Sequence, residues 1–320
     1  MSDHEVQKRR ALTALLGVTV VWGWTFVWMK QALDQVTLTL GPEGEDAAIG
    51  MFLTIRFGLA ALLLPLFLPS CRRRENWSMG LVVSGGSLGA LLLTGFLLQM
   101  TALTTVSPAV SAFLTSLYVI FTAFLSLFFA QHRSISKALF AGVLLATLGA
   151  AFINGPPQLG FSLAEWLTVI CAFIFAGTIL LTDLATRKYA PAAVSLASFA
   201  VVATGGLIYT IWCMTQPSAP EPSQLLGLLG MYDYWWPLAC CSILATLVAL
   251  STLNHFQRTL PPVRAATLYA LEPVWGAIIS ILYGMEAVDG WFALGATLLL
   301  AGNLIAEFMP NKPTPAPPPE

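Results

Sequence analysis

The chain alternates between long apolar stretches and short polar connections along almost its whole length. Ten of these stretches are about long enough to cross a ~30 Å hydrocarbon layer as helices, because a helix rises ~1.5 Å per residue. The predicted spans are 11–33, 49–69, 79–100, 107–130, 137–154, 162–184, 191–213, 235–257, 264–285 and 290–308. The thinnest separator is the TALTTVS run before Pro108. The pattern predicts an all-α membrane protein with ten transmembrane helices.

Composition excludes a soluble fold. The 320 residues are 57% hydrophobic and only 10% charged, whereas soluble domains carry about 25% charged residues. A formal net charge of −1 gives no reason to expect a nucleic-acid partner. The five cysteines form no Cys-x-x-Cys pair and the three histidines are far apart, so we expect no disulfide framework, metal site or cofactor.

The basic residues predict how the chain is oriented. With ten spans, one side carries Lys8, Arg9, Arg10, Arg72, Arg73, Arg74, Arg133, Lys137, Arg187, Lys188, Arg258, Arg264 and Lys312. The opposite connections, chiefly 34–48 and 214–234, carry acids and neither lysine nor arginine. Positive charge stays on the cytoplasmic side. We therefore expect both termini in the cytoplasm.

An internal repeat divides the chain. SAFLTSLYVIFTAF (111–124) aligns with AATLYALEPVWGAI (265–278), and GVLLATLGA (142–150) aligns with GATLLLAGN (295–303). Five spans in each half give the halves opposite orientations, an arrangement typical of secondary transporters. The predicted segments are a cytoplasmic N-terminus (1–10), two inverted five-helix repeats (11–154 and 162–308) and a proline-rich cytoplasmic tail (309–320).

The ordered set of motifs resembles a known family. Trp22-Gly23 with Phe26, the run GFLLQMTALTTVSPAVSAFLTSLYVIF (95–121) and the segment LYALEPVWGAI…LGATLLLAGNLIAE (268–307) are similar to EamA-type members of the drug/metabolite transporter superfamily. The resemblance implies ten helices, cytoplasmic termini and export of small metabolites, with amino acids and amphiphilic drugs recurring as substrates. The chain departs from a strict repeat at Val119, where the second half has Pro273.

Glu272 is the leading candidate for function, since a carboxylate near the middle of a membrane span is costly. It could be a protonatable coupling site or a contact for a cationic group. The alternative is a structural carboxyl that is hydrogen-bonded to a neighbouring helix. Its mate in the repeat is Tyr118, and Tyr269 lies three residues earlier on the same helical face.

Arg56 is the second intramembrane charge. It could pair with a carboxylate such as Glu272, extend outward to water, or bind a substrate carboxylate. We favour pairing or outward extension, because the resemblance implies that the second span is peripheral.

The remaining candidates are aromatic and polar residues in apolar spans. Trp22, Thr25 and Trp28 share a face of the first span by helical spacing, and Thr178 is the repeat mate of Thr25. Lipid-facing bulk is the alternative for the tryptophans, and a helix-to-helix hydrogen bond is the alternative for Gln99. The predicted substrate-binding set is Trp22, Thr25, Trp28, Gln99, Tyr118, Thr178, Tyr269 and Glu272.

Together with the resemblance, these features predict export of an amino-acid-like or amphiphilic compound across a bacterial inner membrane by alternating access, with no catalytic residue. The cavity would be lined by spans 1, 3, 4, 6, 8 and 9. No Gly-x-x-x-x-Gly-Lys loop occurs, so protons, another ion or the substrate gradient would supply the energy. The alternatives are an exchanger or importer on the same fold, or an intramembrane enzyme acting on a lipid-linked substrate. The expected partners are a small molecule and the bilayer, with the protein a monomer or weak dimer.

Overall fold

The computed structural model describes residues 3–129, 137–152, 156, 160–257, 268–269 and 271–308, and within these ranges it contains helices and no strand. The first half contains α1 (Asp3–Leu40), α2 (Glu45–Phe67), α3 (Met79–Leu103), α4 (Pro108–Thr115), α5 (Tyr118–Phe129) and α6 (Lys137–Phe152). The second half contains α7 (Leu163–Lys188), α8 (Pro191–Cys213), α9 (Pro222–Gly227), α10 (Tyr232–Cys240), a π-helical segment (Cys241–Val248), α11 (Ala249–Phe256), α12 (Glu272–Leu282) and α13 (Gly290–Phe308). The predicted tail lies outside the described residues.

Seven helical stretches among the described residues are long and apolar enough to cross a membrane: Arg10–Leu40, Pro42–Phe67, Met79–Leu103, Pro108–Leu127, Leu163–Lys188, Pro191–Cys213 and Tyr232–Phe256. Shorter apolar helices cover Phe140–Phe152, Glu272–Leu282 and Gly290–Ile305. These stretches establish an integral membrane protein. They do not confirm ten spans, and part of the predicted ninth span lies outside the described residues.

The first connection is shorter than the sequence pattern indicates. We expected a connection over 34–48, but α1 continues to Leu40 and α2 begins at Glu45. No glycine or proline interrupts the chain between residues 34 and 40. The turn comes at Gly41, whose φ of 72° lies in the left-handed region that favours glycine. The second connection, 214–234, is also partly helical, because it contains α9.

The predicted separator before Pro108 is a real break between α3 and α4. The Ser107 hydroxyl accepts a hydrogen bond from the Val110 backbone N–H at 3.3 Å, and Pro108 occupies the first helical position. A serine cap followed by proline is a strong helix start, because the serine supplies an acceptor and proline has no N–H to leave unpaired.

Helices α2 and α8 cross through matched small residues. A Cβ atom added at Gly50 would lie 2.5 Å from Thr210 Oγ1, and one added at Gly206 would lie 2.9 Å from Thr54 Oγ1. Each threonine hydroxyl donates to a carbonyl of its own helix, Thr54 to Gly50 at 2.8 Å and Thr210 to Gly206 at 2.9 Å. The contact is reciprocal, and the two helices cross with opposite chain directions.

Helices α6 and α13 make a second crossing of the same kind. A Cβ at Gly149 would lie 2.5 Å from the Leu299 backbone nitrogen, and one at Gly302 would lie 2.6 Å from the Ala146 backbone nitrogen. The sequence repeat aligns Gly149 with Gly302. The residues that match in sequence therefore make matching contacts on the two helices.

Candidate functional site

A cavity lies between the two halves and has about 740 Å³ of space between atoms, including its open mouth. Residues from α1, α2, α3, α5, α7, α8, α11 and the start of α12 line it. The structure brings seven of the eight predicted substrate-binding residues to this cavity: Trp22, Thr25, Gln99, Tyr118, Thr178, Tyr269 and Glu272. Both halves of the chain therefore contribute side chains to the lining of this cavity.

Trp28 is the predicted residue that the structure places elsewhere. It lines a second cavity, together with Asp34, Tyr232 and Asp233, and stacks on Trp24 with ring centroids 5.6 Å apart. Each three-residue step falls ~60° short of a full turn in a helix of 3.6 residues per turn. Two steps from Trp22 therefore turn Trp28 ~120° away from the first cavity.

Glu272 and Tyr118 meet in the wall of the first cavity. The Tyr118 hydroxyl donates to Glu272 Oε2 at 3.2 Å, and both side chains are buried. Each is the first residue of a helix that restarts after a break, Tyr118 in α5 and Glu272 in α12. A helix N-terminus favours a negative charge, so the first position of α12 is a favourable place for an acidic residue. Two residues that are mates in the sequence repeat are thus hydrogen-bonded across the halves.

Tyr269 belongs to a series of hydrogen bonds that the sequence pattern does not indicate. Its hydroxyl donates to Gln257 Oε1 at 3.4 Å, and Gln257 Nε2 donates to the Ile179 carbonyl at 2.7 Å. The Trp22 ring stands edge-on to Tyr269, with centroids 5.7 Å apart. Gln257 is fully buried, and its only sequence signal is a lone amide near the end of an apolar span.

The π-helical segment supplies two contacts to the cavity wall. The Trp22 indole N–H donates to the Ala245 carbonyl at 3.3 Å. The Thr246 hydroxyl donates to the Cys241 carbonyl at 2.9 Å and accepts from Arg56 Nε at 2.8 Å. A π-helical turn bonds each residue to one five positions away, and such turns occur frequently at functional sites. Through these contacts the π-helical segment of the second half positions Trp22 and Arg56 of the first half.

Arg56 does not have the environment that we expected. It is 1% exposed and lines the cavity, so α2 is not peripheral. Among the described residues, no Asp or Glu oxygen lies within 4.0 Å of its guanidinium. The guanidinium carbon instead lies 4.5 Å from the Phe96 ring centroid and 5.4 Å from that of Phe57. Arg56 therefore neither pairs with Glu272 nor extends to water.

Three of the predicted residues are hydrogen-bonded within the helix bundle, two inside their own helix and one to another helix. The hydroxyls of Thr25 and Thr178 donate to carbonyls of their own helices at 3.0 and 2.7 Å. Gln99 Nε2 donates to Thr115 Oγ1 at 3.4 Å, linking α3 to α4. These side chains reach the cavity, but their hydrogen bonds also serve the surrounding helices.

Other lining residues were not chosen from the sequence. Phe199 of α8 lies in the wall, and so does Asn254, whose Nδ2 donates to Ser195 Oγ at 2.7 Å. Thr182 and Phe175 of α7 complete this side. The spans that line the cavity thus include the second and seventh as well as the six that were predicted.

A helical membrane bundle whose two similar halves share one internal cavity is typical of membrane transporters. The model of the EamA-like transporter family matches this chain twice, over residues 9–155 and 162–307. The chain belongs to this family, and the resemblance noted in the sequence is confirmed.

Comparison with curated proteins found no match. A solved structure described only as the crystal structure of a protein is 19% identical to this chain, with a TM-score of 0.56. The alignment covers 90% of this chain and 96% of the other. At this identity the likeness shows a shared fold.

Proposed function

We propose that this protein is a secondary transporter that exports an amino-acid-like or amphiphilic metabolite across a bacterial inner membrane. The main support is the cavity, in which residues of both halves bring one guanidinium and one carboxyl together among aromatic side chains. Ten spans, two inverted halves and cytoplasmic termini are part of this proposal. Membership in a transporter family argues against an enzyme.

The cavity lining favours a substrate with both polar and apolar parts. The rings of Trp22, Phe96 and Phe175 offer apolar surface, whereas Arg56 and Glu272 offer opposite charges. Small-molecule sites commonly combine an apolar wall with a few polar groups that fix orientation. A zwitterion with an apolar side group fits this description.

Alternating access requires that contacts between the halves break and re-form as one half rocks against the other. Gly23 packs so closely on α12 that an added Cβ would lie 2.5 Å from Trp275 Cβ. The Ser107 hydroxyl donates to the Glu286 carboxylate, which joins the start of α4 to the connection between α12 and α13. We assign these contacts to one closed state of the transport cycle.

Reconstitution into liposomes tests the proposed function. Vesicles holding purified protein are loaded with labelled amino acids or amphiphilic drugs, and efflux is followed with and without a pH gradient. At least one compound should leave faster than from protein-free vesicles. A panel in which no compound moves would favour a structural membrane subunit. Uptake that exceeds efflux under the same gradients would favour the importer or exchanger.

Glu272→Gln tests coupling on the compound that is transported. If the Glu272 carboxyl carries the coupling proton, the variant keeps exchange of substrate between the two sides but loses acceleration by the pH gradient. Glu43→Gln, which removes an exposed carboxyl, is the matched control. Gradient-driven transport that is unchanged in Glu272→Gln would assign Glu272 a structural role.

A further inference from the structure

The positive charge of Arg56 has no carboxylate partner among the described residues. Its side chain is withdrawn from water, and buried charges in proteins are usually paired because the loss of hydration is costly. The described residues place no carboxylate oxygen within 4.0 Å of it. The Phe57 and Phe96 rings attract the cation through their faces, but they neutralise no charge.

The hydrogen-bonding capacity of Arg56 is also unfilled. A guanidinium has five N–H donors. Nε donates to Thr246 at 2.8 Å, and one Nη1 hydrogen is directed at the Met29 sulfur at 3.5 Å. A thioether sulfur is a weak acceptor. The other three donors have no acceptor among the described residues, and the side chain borders the cavity.

We propose that Arg56 binds a carboxylate of the transported compound and thereby makes a carboxylate a requirement for binding. A carboxylate can accept two parallel N–H bonds from one guanidinium, which matches both the missing charge and the free donors. This inference rests on the proposed transport function. It reverses our preference from sequence, which favoured pairing or outward extension for this residue.

The rest of the cavity orients such a compound. Glu272 lies in the wall of the same cavity and offers an acceptor for an ammonium group. Trp22 and Phe96 supply apolar surface for the remainder of the molecule. A compound with a carboxylate, an amino group and an apolar side group uses all of these features.

Thr246 is a positioning residue for Arg56. Its hydroxyl accepts from Nε and so fixes one edge of the guanidinium, leaving the other edge for the ligand. Thr246 lies in the π-helical segment, whose widened turns set the direction of this hydroxyl. Thr246→Val keeps the shape of the side chain and removes this acceptor.

Matched pairs of ligands test the proposal on the purified full-length protein. Each amino acid is compared with its own carboxamide, which keeps the amine and side chain but lacks the carboxylate. Binding is read from the shift in thermal unfolding temperature as the ligand is titrated. We expect at least one acid to bind the wild type about tenfold or more tightly than its amide, the change expected for losing a charge-assisted hydrogen bond.

The variants assign that preference to Arg56. Arg56→Gln should lose the tenfold preference and bind acid and amide alike, Arg56→Lys should retain part of it, and Thr246→Val should weaken binding of the acid only. Equal binding of acid and amide by the wild type overturns the proposal, even if Arg56→Gln does not fold. An unchanged preference in a folded Arg56→Gln also overturns it.

Transport measurements on the wild type and on Arg56→Gln distinguish failure of the Arg56 proposal from failure of the proposed transport function. If the wild type transports a compound in vesicles and Arg56→Gln transports it at the same rate, the protein is a transporter but Arg56 does not bind the carboxylate. If no compound is transported or bound by the wild type, both proposals fail.

Discussion

Tyr118 supplies the hydrogen bond that the described residues offer to the buried Glu272 carboxyl. A buried polar group that loses its partner costs about 1–3 kcal/mol. We therefore expect Tyr118→Phe to lower the free energy of unfolding by about that amount, measured by thermal unfolding in detergent. Tyr269→Phe is the control, because the Tyr269 hydroxyl meets a neutral amide at 3.4 Å and should matter less.

Equal losses in the two tyrosine variants would show that the carboxyl does not depend on Tyr118. Adding Glu272→Leu to Tyr118→Phe provides a second check. If the two residues interact, the loss in the double variant will be smaller than the sum of the single losses.

Glu286 lies in the connection between α12 and α13. The protonation of its carboxyl makes the stability of the folded protein depend on pH. Burial raises the pKa of the Glu286 carboxyl above its ordinary value of about 4.5; the Asp289 charge raises this pKa further, and the Ser107 hydrogen bond opposes the shift. Between the ordinary and the raised pKa, the folded state holds a proton that the unfolded state has released. Stability therefore falls as the pH rises through this window.

We expect Glu286→Gln to flatten the dependence of unfolding temperature on pH just above pH 4.5, because the amide does not titrate. The measurement is a series of thermal unfolding curves in detergent across this range. Glu43→Gln, which removes an exposed carboxyl from another connection, controls for the change in net charge. An identical slope in wild type and Glu286→Gln would contradict the assignment.

The sequence predicts some residues of the site and not others, for a physical reason. Glu272 and Tyr118 could be chosen because a midspan acid is rare and the repeat identifies its mate. The surroundings of Arg56 could not, because they depend on how α2 packs against α3 and against the π-helical segment of the other half. Trp28 was placed by three-residue spacing, and that spacing drifts around a helix as it is extended.

At the level of helices, the α6–α13 crossing leaves no room for a side chain at Gly149. Overpacking of a close contact typically costs about 1–3 kcal/mol, so Gly149→Ala should lower the unfolding temperature. Gly302→Ala should do the same, because the contact is reciprocal. Gly17→Ala is the matched control: nothing lies within 4 Å of its added Cβ, and alanine favours a helix by about 0.5–1 kcal/mol over glycine.

In thermal unfolding of the purified variants, the unfolding temperature should therefore fall for Gly149→Ala and Gly302→Ala and rise for Gly17→Ala. A higher unfolding temperature in Gly149→Ala, like that expected for Gly17→Ala, would mean that α6 and α13 are not in close contact.

Apolar length predicts the helices well and their irregularities poorly. The long runs of α2, α3 and α8 lie where the pattern indicates, because their ends are marked by glycine, proline or charged residues. The π-helical segment Cys241–Val248 has no such mark, since it contains no glycine, proline or charged residue. The extension of α1 to Leu40 was missed because polar residues alone do not end a helix.

For the whole molecule, positive charge predicts which ends of α2 lie inside and outside. Single cysteines replacing Glu43 and Glu75, which precede and follow this helix, test the orientation with a membrane-impermeant maleimide. Glu43→Cys should react in intact cells, and Glu75→Cys only after the membrane is opened. The five native cysteines are buried, so the unmodified chain is the background control. Labelling of both from one side would contradict a membrane-crossing α2.

The α2–α8 crossing has a consequence for the ancestry of the chain. The same pattern, a glycine followed four residues later by a threonine, occurs on both helices at Gly50–Thr54 and Gly206–Thr210. Each surface is therefore complementary to a copy of itself. A gene for one half alone would encode a protein that could form this helix contact with a second copy inserted in the opposite orientation. Fusion of two such genes would then preserve the contact and leave each copy free to diverge, one towards Arg56 and the other towards Glu272.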